Sequence, residues 1–176
     1  MNKNQQGGMF LLEALIAILV FSLGILGMVA MGSTAIAAQS DAQYRTDATK
    51  FANEIASKIA LNVDSSAPAI WPIQGSIQTS LLAFAHRPVV TGFCGFAGAA
   101  SASPIVTEWV NELSGGVANV PGLPGATNIT ESIAVDTSQP LFSTVTVTIC
   151  WQPPSASALG VQHRQVLVSY VPNQYN

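Results

Sequence analysis

The side chains able to do chemistry are few: two cysteines, Cys94 and Cys150, two histidines, His86 and His163, nine carboxylates and six basic residues. A zinc site built from the cysteines and histidines would need short ligand spacings such as Cys-x2-Cys or His-x3-His. No pair has one, so no metal is expected. His163, beside Arg164 at the start of a strand pattern, reads as a solvated edge residue. The serines with His86, His163 and Asp136 follow no recognised hydrolase order, and no Gly-x-Ser-x-Gly elbow occurs. The glycine-rich run from Gly92 to Gly98 lacks the lysine and the following helix of a phosphate loop. No catalytic residue is nominated and no cofactor is expected; an exported enzyme anchored by its N terminus is the reading from a different class. If the half of the chain holding both cysteines lies outside the cytoplasm, a Cys94–Cys150 disulfide is the default.

Glu13 is the carboxylate whose position is hardest to explain by chance. It lies four residues into an apolar run that starts at Met9, and from Ala14 to Ala38 no further charge occurs. Only Ser22, Ser33 and Thr34 interrupt that run mildly, and it is long enough to cross the ~30 Å of bilayer hydrocarbon as a helix. Lys3 and the amino terminus flank it on one side, Asp41 and Asp47 on the other. By the positive-inside rule the first residues stay in the cytoplasm and those after about Gln39 are exported. An ordinary secretory signal has a shorter apolar core, although the small residues from Thr34 to Ala38 offer a conventional peptidase a place to cut. A plain signal anchor explains length and orientation but not Glu13. A carboxylate inside the bilayer costs roughly 2.5–3.5 kcal/mol on insertion scales, so it is kept mainly where a partner or function retains it.

A short polar leader, Met1-Asn2-Lys3-Asn4-Gln5-Gln6-Gly7-Gly8, is followed by Met9-Phe10-Leu11-Leu12-Glu13 and then the apolar run. This resembles the class III signal of type IV pilins and type II secretion pseudopilins, with Met9 standing where phenylalanine is usual. The resemblance implies a cut between Gly8 and Met9, N-methylation of Met9, and a role for Glu13 opposite an N-terminal amine in a filament core. The exported part resembles PilV-type minor pilins in its order of pieces: Gly92-Phe93-Cys94-Gly95, Glu108-Trp109, Leu123-Pro124-Gly125, a Thr-Val-Thr-Ile-Cys-Trp strand ending at Trp151, and Arg164 opening a last apolar strand. The partners implied are other minor pilins, the major pilin, a prepilin peptidase and an inner-membrane assembly platform. The implied location is the inner membrane, then the pilus at the cell surface. A minor pseudopilin of a type II secretion system shares the same signal and is the alternative within the fold.

The elements that must position these residues follow from periodicity. One helix from about Met9 to Leu61 is expected, since no proline occurs between Met1 and Ala67. Past the apolar run, Tyr44, Ala48, Phe51, Ala52, Ile55 and Ile59 recur at spacings of three and four, with most charges opposite. Asp41 with Arg45 and Glu54 with Lys58 are acid-before-base pairs one turn apart. Gly24, Gly27 and Gly32 lower helix stability by about 1 kcal/mol each relative to alanine, which leaves two roles open: close helix contact, or a melting point used during assembly. The segment Ser65 to Trp71, with Pro68 and Pro72, breaks the helix. A short helix is expected around Ile77 to Ala85, and another from Ile105 to Leu113 with Ser103 as N-cap and Pro104 at its first position. Strands are expected over Ile129–Val135, Ser143–Trp151 and Val161–Val171. In the middle strand Val145, Val147, Ile149 and Trp151 should face the core, and Thr144, Thr146, Thr148 and Cys150 the solvent.

The fold class is therefore α+β and pilin-like: a long N-terminal helix whose second half packs on a C-terminal antiparallel sheet. Its organisation is a leader over 1–8, a membrane or filament-core half-helix over 9–38, and an exported domain over 39–176. The totals agree, because 176 residues suit one domain and 49% apolar content exceeds what its core needs, while only 9% are charged. The net charge is −3, and the basic residues Lys3, Arg45, Lys50, Lys58, Arg87 and Arg164 form no run that would attract nucleic acid.

Overall fold

A computed structural model describes residues 7–64, 74–92, 94–117, 122–153 and 162–173. Its elements in chain order are α1 (Gly7–Asn62), α2 (Gln74–Ala83), α3 (Pro104–Leu113), β1 (Thr127–Asp136), β2 (Phe142–Gln152) and β3 (His163–Pro172). The three strands form one antiparallel sheet in the order β1-β2-β3. This α+β layout, a long N-terminal helix and an antiparallel sheet, matches the expectation. The proline-containing breaker at 65–73 lies outside the described residues. The chain divides into two compact units, one ending at Ala42 and the other starting at Gln43, and each is taken by itself.

In the second unit the amphipathic stripe of α1 is the spine of the core. Ala48, Ala52, Ile55 and Ile59 are fully buried, with Tyr44 and Phe51 nearly so. They belong to one cluster with Ile77 and Leu81 of α2, Val106, Trp109 and Leu113 of α3, and Ile133, Val145, Val147, Ile149 and Trp151 of the sheet. Two polar links tie α1 into this cluster: Trp109 Nε1 donates to the Phe51 carbonyl at 3.0 Å, and the Tyr44 hydroxyl donates to the Pro124 carbonyl. The expected Glu54–Lys58 pair forms at 2.8 Å, and Lys58 also lies 3.5 Å from Glu112 of α3. The hydrogen bond that Lys58 donates to the Glu54 carboxylate is the main cause that raises the Lys58 pKa.

Local details differ from the sequence pattern for identifiable reasons. Ser103 does stand at the N-cap of α3, but its hydroxyl makes no cap bond; its carbonyl accepts from the Val106 and Thr107 N–H groups instead. Proline at the first helical position has no N–H to satisfy, which removes one reason for a side-chain cap. Beyond α3, Gly122 sits at φ +61°, where a Cβ would lie 2.5 Å from the Leu113 carbonyl oxygen. Only glycine lets the backbone at this position pass so close. In β1 the register shifts between Thr127 and Thr130, with Asn128 at φ 52° donating to Gln152 Oε1 at 2.8 Å. An asparagine tolerates the left-handed conformation of such a bulge.

The largest correction concerns β2. Val145, Val147, Ile149 and Trp151 are buried, as the alternation requires, but Thr148 and Cys150 on the other row are buried as well. The segment from Val90 to Phe96, closed by paired hydrogen bonds between those two residues, carries Cys94, which is bonded to Cys150. A second layer thus covers one half of the outer sheet face, and a single strand's pattern carries no sign of it. Beside it, His86 bridges Ile133 in antiparallel fashion, His86 N–H donating to Ile133 at 2.9 Å and Ile133 N–H to His86 at 2.6 Å. That bridge covers part of the outer edge of β1 with backbone.

Candidate functional site

The first unit is a helix with its apolar surface uncovered. Every described side chain from Phe10 to Ile36 is exposed, and α1 is long and apolar enough to cross a membrane, with mean hydropathy 2.6 in its most apolar window. An exposed apolar surface of that extent far exceeds the few hundred Å² typical of a soluble monomer, and needs lipid or other helices to cover it. Two of its three polar interruptions are satisfied within the helix: Ser22 Oγ donates to the Leu19 carbonyl at 2.9 Å and Thr34 Oγ1 to the Met31 carbonyl at 2.8 Å. Those hydroxyls can enter an apolar medium without an unmet donor.

Glu13 is the exception. Among the described residues it has neither a hydrogen bond nor an ion pair, and it is the only charged side chain between Phe10 and Ala38. Its neighbours Phe10, Leu12 and Ile16 are all exposed apolar groups. Gly8 and Met9 lie on the same helix at its N-terminal end. Gly24, Gly27 and Gly32 have nothing within 4 Å of where a Cβ would stand. Among the described residues no contact requires them to be small, while a second helix approaching that surface could use the space.

In the second unit Cys94 and Cys150 form the disulfide, with Cα atoms 6.4 Å apart. Both thiols are consumed by it, so neither cysteine is a metal ligand, and no group of three or more His, Cys, Asp or Glu gathers as a metal site among the described residues. His163, expected as a solvated edge residue, is half-buried instead: its ring stacks on Trp151 with centroids 5.8 Å apart, and its Nδ1 lies 3.4 Å from Arg45 Nη2. Position opposite Trp151 in the ladder, rather than its place at the strand start, decides its surroundings.

His86 is buried, and the residue that sequence reasoning missed is its neighbour Glu131. The Ser101 N–H donates to His86 Nδ1 at 3.1 Å, which fixes the proton of the neutral ring on Nε2, 3.5 Å from Glu131 Oε1. Burial lowers the His86 pKa and raises that of Glu131 to about 6. A signal for Glu131 was present, because it falls on the inward phase of β1 with Ile133 and Val135, where a carboxylate is out of place. Since its folded pKa lies above the unfolded value of 4.5, stability from this group is complete below pH 4.5 and is lost as pH rises through about 6. Glu131→Gln should therefore match the wild type near pH 4.5 and exceed it above pH 6 by about 1–2 kcal/mol. Denaturation midpoints of both proteins at the two ends of that range check it; a constant difference across pH would contradict it.

Neither a protein-family model, nor a curated protein, nor a solved structure matches this chain. The fold and its site define a class by themselves: a membrane-length helix whose carboxylate near its start has no partner among the described residues, in a chain that also forms an α+β unit closed by one disulfide.

Proposed function

We propose that this chain is a minor pilin: a structural subunit that helps prime type IV pilus assembly and joins the filament at or near its tip after its leader is removed. The observation that carries this reading is Glu13, without a partner among the described residues, near the start of the exposed apolar part of α1. In lipid that carboxylate is a liability. Cutting after Gly8 creates a new amine at Met9, and in a filament core Glu13 meets such an amine on a neighbour or on its own chain, so each charge neutralises the other where water is excluded. The exposed apolar side chains and the open space beside Gly24, Gly27 and Gly32 suit burial among the helices of other minor pilins and the major pilin. Until assembly the same helix holds the chain in the inner membrane, N terminus cytoplasmic and the disulfide-bonded unit in the periplasm. The prepilin peptidase and the inner-membrane assembly platform are its processing and docking partners.

Glu13→Ala removes the costly carboxylate, so membrane residence should be equal or better while the attraction to a partner amine is lost. The variant is expected to be cleaved, with a methylated Met9 as its first residue, and to fold. Its co-purification with other minor pilins should fall about tenfold or more at matched protein levels, as expected for a buried charge left without its partner. N-terminal sequencing and mass spectrometry check processing, and affinity co-purification with pilus counts checks assembly. A mature chain starting beyond Ser33, or unchanged association and piliation, would overturn the proposal.

A further inference from the structure

The covered half of the outer sheet face contains a cavity of about 280 Å³ between the sheet and the segment that carries Cys94. Its floor is made by the hydroxyl-bearing Ser132 of β1 and Thr148 of β2, both buried, and its rim includes Arg87 and Arg164. Register places the two arginines on opposite sides: Arg87 follows the bridge at the outer edge of β1, whereas Arg164 lies on β3 across from Cys150, with β2 between them. Cys94, Gly95 and Phe96 form the roof, and the disulfide fastens it to β2.

The charge arrangement is what calls for a ligand. This chain has more acids than bases, nine against six, yet among the described residues no carboxylate lines this cavity. Among the described residues, neither guanidinium has an ion pair or side-chain hydrogen bond, and the Ser132 and Thr148 hydroxyls have no partner either. Two permanently charged guanidiniums at one cavity repel each other, and an anion between them turns that repulsion into attraction. Arginine forks from two sides and hydroxyl donors from below approach a guest from three directions. A planar carboxylate uses two of these; a tetrahedral oxyanion uses all three.

We propose that this cavity binds a tetrahedral oxyanion, a phosphate or sulfate group, and that its volume leaves room for a small organic moiety carrying that group. The full chain in detergent micelles, labelled with ¹⁵N, is titrated at constant ionic strength with inorganic phosphate, sulfate and acetate, each alone. Phosphate or sulfate should produce saturable shifts of the Arg87, Ser132, Thr148 and Arg164 amides. Arg164→Gln and Arg87→Gln should each weaken that binding by roughly tenfold or more, as loss of a charge-assisted contact does, whereas Arg45→Gln should leave it unchanged. Both arginines are exposed, so the variants are not expected to unfold, and unaltered melting midpoints confirm it. Equal loss in Arg45→Gln would reduce the effect to overall charge and overturn the site. Acetate binding as well as phosphate would overturn the tetrahedral assignment, and no saturable shift with either tetrahedral anion would overturn the proposal as a whole.

Discussion

Trp109→Ala should lower the stability of the protein by about 3–5 kcal/mol, the range for removing a large aromatic from a closed core. Trp109 is fully buried in the cluster shared by α1, α3 and the sheet, and its indole also donates to the Phe51 carbonyl of α1. The loss has two parts, a cavity among rigid neighbours and a missing hydrogen bond. Trp109→Phe separates them, because it keeps most of the volume and drops the donor; it should cost clearly less. With total stabilities of about 5–15 kcal/mol, the alanine variant should sit near the threshold of folding. Chemical denaturation of the full chain in micelles, followed by circular dichroism, gives both numbers. A loss below about 1 kcal/mol for Trp109→Ala would mean that the helices and sheet can close around the gap, contrary to the packing described.

Removing the disulfide should cost nearly as much. Cys94 and Cys150 are 56 positions apart, and by the loop-entropy argument a bridge closing a loop of that length contributes about 4 kcal/mol, chiefly by restricting the unfolded chain. The double variant Cys94→Ala, Cys150→Ala avoids placing new polar groups in buried positions. It should shift the denaturation midpoint down by an amount that reductant reproduces in the wild type. Hydrogen exchange should quicken first at Val90 and Phe96, whose mutual hydrogen bonds hold the segment that Cys94 anchors. Mass spectrometry of the unreduced protein should recover Cys94 linked to Cys150. An unchanged midpoint, with or without reductant, would show that the covering segment holds its place without the bridge.

Much of this architecture was legible in the sequence because it is periodic. The stripe Tyr44, Ala48, Phe51, Ala52, Ile55, Ile59 has the helical repeat, the valines and threonines of β2 have the strand repeat, and the absence of proline lets one helix continue through both units. Glu13 stood out for the opposite reason, as the single charge in an otherwise apolar run. The disulfide came from counting. What escaped was the pairing of residues far apart in the chain. His86 joins Ile133 through backbone, which no side-chain pattern records, and that bridge brings His86 within reach of Glu131 and sets Arg87 beside the outer face of the sheet. Thr148 and Cys150 read as solvent-facing because nothing in β2 announces that residues 90–96 return to cover them. His163 was misplaced by the same limit, since its environment comes from Trp151 and Arg45 on other elements.

The bridge between Cys94 and Cys150 also decides how far this protein can be stretched. A chain pulled from its first residues and its last would, once its core gave way, pay out every residue between the grips. The covalent link withdraws the 56-residue span from that reserve. At about 3.4 Å per extended residue, roughly 190 Å of slack stays locked away while the bond lasts. Tension would run from the helix through Cys94 straight to the last strand, bypassing α3, β1 and most of β2, so the protein would yield as a short tether rather than a long one.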